Sequence, residues 1–359
     1  MSRVLGLVKA GLRRVRSWSR ACRGLVRRYY EPVGGLFTPD HLPARFSRRA
    51  GDFTVNLCGA LDPCVRRARF RLNDGPWCPV RHALPRVPPP LVTAEFAHAD
   101  LLAGDNRVEF ELTTYRGRLR RQEFDFRYDP SAITLPAVLD WRDAELDSQD
   151  GRWERVEGDG VVRVRPVPGE ERYDRILVVC GAFEGGREIA LDLVFRGEKS
   201  PGRPFGFGVL PMWGGRPDSQ DARPRRGWNF SLVWFYSHYD AVGSEFSFKD
   251  ADDPPAWTAA YRSIDLARDT TYRLLVRCWP ERDEDGGLRR HVQRMKWWPA
   301  DQPEPEAWMT LTDDSGAPIP DREYGVALIA HQCQVEFGAV RVGPYERSGS
   351  RAGGSDRHG

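Results

Sequence analysis

LRRHVQRMKWWPADQPEPEAW, residues 288–308, decides how the chain is read. Its first half has the two-residue period of a strand, so Met295 and Trp297 face one side and Arg294, Lys296 and Trp298 the other. Met and Trp suit a dry layer between sheets, whereas long cations avoid a core. Pro299 then stops the ladder, because it has no N–H to donate. Residues 301–305 cross a rim, and Trp308 returns to the sheet. The prolines end a strand, and the tryptophans are predicted to fill a core and a groove.

The rest of the chain fits this β reading. Twelve Trp, seventeen Phe and eleven Tyr favour aromatic sheets, and 35 Gly with 28 Pro supply the turns that many short strands need. At 359 residues there is room for two separate cores. Net charge is +3, but residues 1–28 hold nine Lys or Arg and no acid, which leaves the remainder at −6. That body has no electrostatic case for nucleic acid. Arginine far outnumbers lysine, the usage of a GC-rich and hence bacterial genome. The seven cysteines are scattered, with no CxxC or Cys/His cluster, so no zinc site is expected. Several lie in apolar runs such as ILVVC and LLVRC, which points to reduced thiols and a cytoplasmic setting.

Residues 1–30 place Val4, Val8, Leu12, Val15, Trp18, Cys22, Val26 and Tyr29 at steps of three or four, with arginines opposite. This predicts an amphipathic basic helix too polar to span a bilayer and lacking a secretory cleavage pattern. It suits docking on an anionic membrane surface, here the inner face, or on a protein partner. A helix packed on its own protein and a transit peptide are the alternatives. Pro32, Gly34, Gly35, Pro39 and Pro43 then read as a linker over 31–50.

From about residue 51 the period becomes two. DFTVNLCGALDP alternates Phe53, Val55 and Leu57, and ARFRLNDGPW runs into an Asp74-Gly75 turn. LLAGDNRVEFELTTYRG then turns at Gly104-Asp105-Asn106 before a long strand, and EFDFRYDP closes the unit. Short alternating strands over 51–130 predict a small β-sandwich. Its turn chemistry resembles bacterial immunoglobulin-like or fibronectin-like modules, which act as spacers or binding platforms.

Residues 135–345 carry strands every 15–25 residues and no long helical period, which predicts a larger antiparallel sandwich. Trp153 in the opening hairpin, the glycine-alternating FGFGVL, DTTYRLLVR, RMKWWPADQPEPEAW and the closing YGVALIA with VEFGAVRV together resemble the concanavalin A-like lectin and glucanase jelly rolls. Lys-x-Trp followed by Glu-Pro and Trp also resembles the laminin-G-like and 3-keto-disaccharide-hydrolase-like branches. The resemblance implies an all-β jelly roll and a carbohydrate partner; it does not imply one activity, because lectins, hydrolases and spacers share the fold. Residues 346–359, rich in Gly, Ser and Arg, are expected to be disordered.

In GWNFSLVWFYSHYD, residues 227–240, Trp228, Phe230, Leu232, Trp234 and Tyr236 share a face that is expected to form the other half of the groove. Aromatic faces suit the C–H surfaces of sugar rings, and polar groups add directional hydrogen bonds. The candidate ligand-binding residues are therefore Arg294, Lys296, Trp298, Trp228, Trp234 and Tyr236, against the plainer reading that most of these aromatics are core.

For hydrolysis, Glu145, Asp147 and Asp150 in ELDSQD resemble the E-x-D-x-x-E of laminarinase-type enzymes. They depart from it in ending on Asp, in their Ser-Gln interior and in preceding the first strand. Glu188 and Asp192 share a face but stand roughly 13 Å apart. ERDEDGG, residues 281–287, reads as a solvated acidic turn, with calcium as the alternative ligand and no other cofactor expected. The histidines have no metal spacing. The expectation is a non-catalytic, lectin-like accessory protein; a sugar-active hydrolase on the same sandwich and a protein-binding scaffold are the alternatives.

Overall fold

The computed structural model describes residues 35–47, 54–84, 91–131, 134–169, 174–198, 202–214, 230–248, 256–313 and 322–346. The helix expected over 1–30, the candidate Trp228 and the tail beyond residue 346 lie outside these residues. Among the described residues the chain is all-β, apart from one 3-10 turn at His98–Asp100.

The first sandwich opposes two sheets. One holds, in spatial order, Phe37–Pro39, Thr54–Leu61, Leu91–Ala97 and Arg81–Leu84. The other holds Arg45–Ser47, Leu119–Asp129, Gly104–Thr114, Val65–Leu72 and Cys78–Pro79. This is the ABED-against-GFC order of an immunoglobulin-type sandwich. Phe37, Phe46, Phe70, Phe96, Phe110 and Phe126 fill its core, with Phe37 stacked on Phe110 at 4.3 Å. The turn expected at Gly104-Asp105-Asn106 falls just earlier, at residues 101–103, because Gly104 already opens the strand; the Asn106 side chain closes it, accepting from the Leu102 N–H at 2.9 Å and donating to the Leu102 carbonyl at 2.8 Å.

Residues 31–50 read as a linker, but Phe37–Pro39 and Arg45–Ser47 are edge strands, each burying its phenylalanine to 2% exposure. Three-residue strands are too short to show alternation, and proline is tolerated at a sheet edge, so linker-like composition hides them.

The second sandwich packs an eight-stranded sheet on a seven-stranded one. The seven-stranded sheet runs Asp147–Asp150, Asp174–Phe183, Tyr324–His331, Gly206–Trp213, Phe230–Tyr236, Ala241–Phe248 and Ala256–Ser263. The other has Trp153–Gly158, Val161–Pro166, Cys333–Pro344, Arg187–Glu198, Thr271–Arg282, Leu288–Pro299 and Met309–Thr312 in order, with Ala137–Leu139 added beside Cys333–Pro344. Consecutive strands pass between the two layers repeatedly, as in a jelly roll.

The core lies between the layers. Met295 and Trp297 enter it from the eight-stranded sheet, as the alternation predicts, and meet Phe207, Val209, Val233 and Phe235 from the other. Phe195 stacks on Phe207 at 5.3 Å, and Phe207 lies 5.9 Å from Trp297. Trp141, fully buried, donates its indole N–H to the Gly338 carbonyl at 2.7 Å and so fixes the entry of the chain into this sandwich.

The two sandwiches meet where Thr54–Leu61 passes Asp147–Asp150. Asn56 donates to the Gln149 carbonyl at 3.1 Å, and the Trp153 N–H donates to His41 Nε2 at 2.7 Å. ELDSQD is thus an edge strand spent on structure. Asp150 pairs with the buried Arg175 at 2.8 Å, and Glu145 accepts from the Arg45 N–H at 3.0 Å.

Trp297→Ala removes the largest side chain that its strand puts into the core, and should cost about 3–5 kcal/mol in urea unfolding. A loss below about 1 kcal/mol would mean that Trp297 does not fill the layer.

Candidate functional site

The two aromatic segments singled out from sequence occupy different sheets. Trp234 and Tyr236 lie on the outer face of the seven-stranded sheet; Arg294, Lys296 and Trp298 lie on the outer face of the eight-stranded one. With the core between them, they do not form two halves of one groove. Sequence periodicity gives the face of each side chain but not the layer to which its strand belongs.

Around Lys296 the chain covers its own surface. Lys296 Nζ pairs with Glu304 at 2.6 Å and sits 4.7 Å over Trp308, which leaves its side chain 9% exposed. Residues 299–308 therefore fold back over their strand. Arg277 is held 4.6 Å from Trp308 and 5.0 Å from Tyr345, paired with Glu188 at 2.6 Å. Arg294 lies 5.4 Å over Trp279, and Trp298 is buried. Each cation here has an aromatic face, and two also have a carboxylate; such contacts hold the strap in place without leaving a groove.

The seven-stranded sheet presents a different outer face. Its register aligns Ile176, Ile329, Gly208, Trp234, Gly243 and Tyr261 across six strands. Beside this row run Asp174, His331, Gly206, Tyr236 and Ala241. The glycines make room for the rings. A Cβ on Gly206 would lie 2.6 Å from the Trp234 ring, and one on Gly243 would lie 2.2 Å from the Tyr261 ring. At Gly208 it would lie 2.0 Å from the Val233 carbonyl oxygen. The alternation in FGFGVL thus has two uses: Phe207 and Val209 enter the core, while Gly206 and Gly208 make a bed on the outside.

On this bed the rings are contiguous. Trp234 stacks on Tyr236 at 4.5 Å with planes 8° apart. Tyr239, 45% exposed in the following turn, contacts Tyr236 at 5.7 Å and Tyr261 at 4.5 Å. Trp234, Tyr236 and Tyr261 are half-buried, so each keeps part of its ring toward solvent. Toward Ile176, Leu232 and Ile329 the same face is buried and apolar.

Two carboxylates border the platform. Glu245, 6% exposed, accepts from the Trp234 indole N–H at 2.8 Å and from the Tyr261 hydroxyl. Asp174 lies 2.7 Å from His331 Nδ1. Burial first, and then the hydrogen bond to Glu245, holds the Tyr261 hydroxyl above its ordinary pKa. Four inter-strand steps and a four-residue offset along the strands separate Asp174 from Glu245, which puts them more than roughly 19 Å apart. A glycosidase pair needs roughly 5–9.5 Å, so these two do not make one.

Tyr239, Tyr261, Glu245 and Gly243 were not singled out from sequence. Their grouping depends on pairing between strands; the FGFG repeat was the one local sign of it.

No family model matches the chain, and no curated protein matches it either. Solved structures overlay loosely. The metal-free carbohydrate recognition domain of Emp46p shares 11% identity at a TM-score of 0.32, over 53% of this chain and 87% of that one. A protein of unknown function with a galectin-like fold from Bacillus subtilis shares 9% at 0.30, over 55% and 90%. A structure of carbohydrate-binding modules of promiscuous specificity from the β-sandwich superfamily shares 8% at 0.18, over 85% and 94%. Overlays this loose carry no argument about the site.

Because the folded state holds the Tyr261 proton to higher pH than the unfolded chain does, this contribution is fully present below the ordinary tyrosine value of 10.0. It is lost as pH rises above that value. Tyr261→Phe should therefore show a shallower fall in unfolding free energy above about pH 10 than the parent. Equal slopes would contradict the buried, hydrogen-bonded hydroxyl.

Proposed function

We propose that this is a lectin-like, non-catalytic accessory protein that binds carbohydrate on the outer face of its seven-stranded sheet. The observation that carries the reading is the glycine-bedded platform of Trp234, Tyr236, Tyr239 and Tyr261, with Glu245 fixing two of the rings. Sugar rings present flat C–H faces edged by hydroxyls. Rigid aromatic rings lose little conformational entropy on binding such faces. The Tyr hydroxyls add directional contacts at the platform's margin.

Of the residues expected from sequence, Trp234 and Tyr236 belong to this proposal. Arg294, Lys296 and Trp298 do not, because the strap over residues 299–308 and its pairings occupy their face. The separation of Asp174 from Glu245 favours binding over hydrolysis. The immunoglobulin-type sandwich would act as a spacer. Residues 1–30 would tether the protein to an anionic membrane surface or a partner, on the cytoplasmic side.

A glycan array with purified protein tests the main claim. Tyr239→Ala, at an exposed turn, should weaken binding to any positive glycan at least about tenfold, or ~1.4 kcal/mol, with thermal stability nearly unchanged. Undiminished binding by that variant would remove the platform from the account, and release of reducing sugar would contradict the non-catalytic reading. Vesicle flotation tests the tether. The full chain should float with anionic vesicles and a version lacking residues 1–30 should not; equal flotation would end that part.

A further inference from the structure

The strands at the middle of the seven-stranded sheet have no solvent side. Residues 175–183, 206–213 and 324–330 are buried at every position. Their sequences RILVVCGAF, GFGVLPMW and YGVALIA are apolar almost throughout, the pattern of strands covered on both faces. In the eight-stranded sheet, by contrast, Thr271–Arg282 alternates through its first half, with Arg273 exposed between the buried Tyr272 and Leu274. One face of the seven-stranded sheet is covered by the core between the layers. On the other, Ile176, Val178, Leu210, Leu232, Ala327 and Ile329 belong to an apolar cluster in which none of them is more than 3% exposed. These residues come from four neighbouring strands of this one sheet, and no described residue of another layer joins the cluster. Trp234, half-buried, packs against it from the platform side. An apolar sheet face reaches such burial only beneath a further layer. The burial is within a single chain, so the cover is this chain's own.

Most segments outside the described residues are unsuited to that cover. Residues 215–229, 249–255, 314–321 and 347–359 are rich in Gly, Pro and charge, and none carries a continuous apolar stripe. Residues 1–30 do, with Val4, Val8, Val15, Trp18, Cys22 and Val26 on one side at helical spacing. A helix of that length is about 45 Å long and about 10 Å wide, and the cluster spans three inter-strand steps, about 14 Å. The connection also fits. The Asp40 N–H donates to the Cys58 carbonyl at 2.8 Å, and Cys58 Sγ donates to the Gln149 carbonyl at 3.4 Å. The chain therefore leads back from Asp40 toward residue 35 beside Asp147–Asp150, the edge strand next to Asp174–Phe183. Residues 31–34 span up to about 14 Å more.

We propose that residues 1–30 are a third layer of the second sandwich: an amphipathic helix whose apolar stripe closes the outer face of the seven-stranded sheet over Ile176, Leu232 and Ile329, ending beside Trp234. Arg13, Arg16, Arg20, Arg23 and Arg27, on the opposite side of that stripe, then face outward. An anionic membrane surface or a partner would be met by charge, with the stripe kept on the sheet. The inference stands whether or not the platform binds sugar, and whether or not the full chain floats with vesicles.

The test uses the full chain without vesicles. Benzoylphenylalanine placed at position 15 and irradiated in dilute solution should cross-link within one molecule to peptides of Asp174–Phe183, Phe230–Tyr236 or Tyr324–His331, read by mass spectrometry. The same probe at position 17, on the other side of the helix, should not. In thermal melts, Val8→Asp combined with Val15→Asp should lower the Tm by at least about 4 °C, while Ser17→Asp should move it by less than about 1 °C. Cross-links from position 15 confined to other parts of the chain, or formed only between molecules, would overturn the inference. So would an unchanged Tm in the double variant. Should that variant not fold, the cross-link alone decides.

Discussion

The close approach of aromatic rings to glycine backbone on the outer face of the seven-stranded sheet is the constraint on which the functional account depends. Gly206 and Gly243 leave room that the Trp234 and Tyr261 rings take up, and Gly208 lets its strand lie close against the backbone of Val233 and Trp234. Glu245 then fixes both rings by accepting from each. A platform fixed in this way is ready before any ligand arrives, so binding need not bear the cost of ordering it. The same strands keep Phe207, Val209, Val233 and Phe235 in the dry layer below. One alternation of residues therefore builds the core and the candidate binding face together.

The two outer faces of the second sandwich illustrate how similar compositions reach different ends. Both carry tryptophan, tyrosine and charge. Around Lys296 the cations are local and numerous, so the aromatics are used by Arg277, Arg294 and Lys296, and a proline-rich strap closes over them. Around Trp234 the neighbours are glycines and tyrosines, and ring surface remains turned to solvent.

Much of this architecture was legible in the residues themselves. The alternation around position 296 placed Met295 and Trp297 in the core and their even-numbered neighbours outside, as the structure has them. A turn before the long strand was legible from its chemistry, because an Asn side chain can close such a turn locally, but it lies at residues 101–103 and Gly104 to Asn106 already belong to the strand. The edge strands at Phe37–Pro39 and Arg45–Ser47 were not, since three residues give no period and prolines surround them. Nor was the partnership of Trp234 with Gly243, Glu245 and Tyr261, which register across three strands creates. Local sequence specifies which way a side chain faces; pairing decides what it meets.

The central claim is that ligand meets the Trp234 face and not the Trp308 face. Two-dimensional indole N–H spectra of the protein, recorded while oligosaccharides chosen from the array are added, separate these directly. The account predicts that the Trp234 resonance moves in a saturable way while those of Trp298 and Trp308 stay in place. Movement of Trp298 and Trp308 with Trp234 unmoved would contradict it.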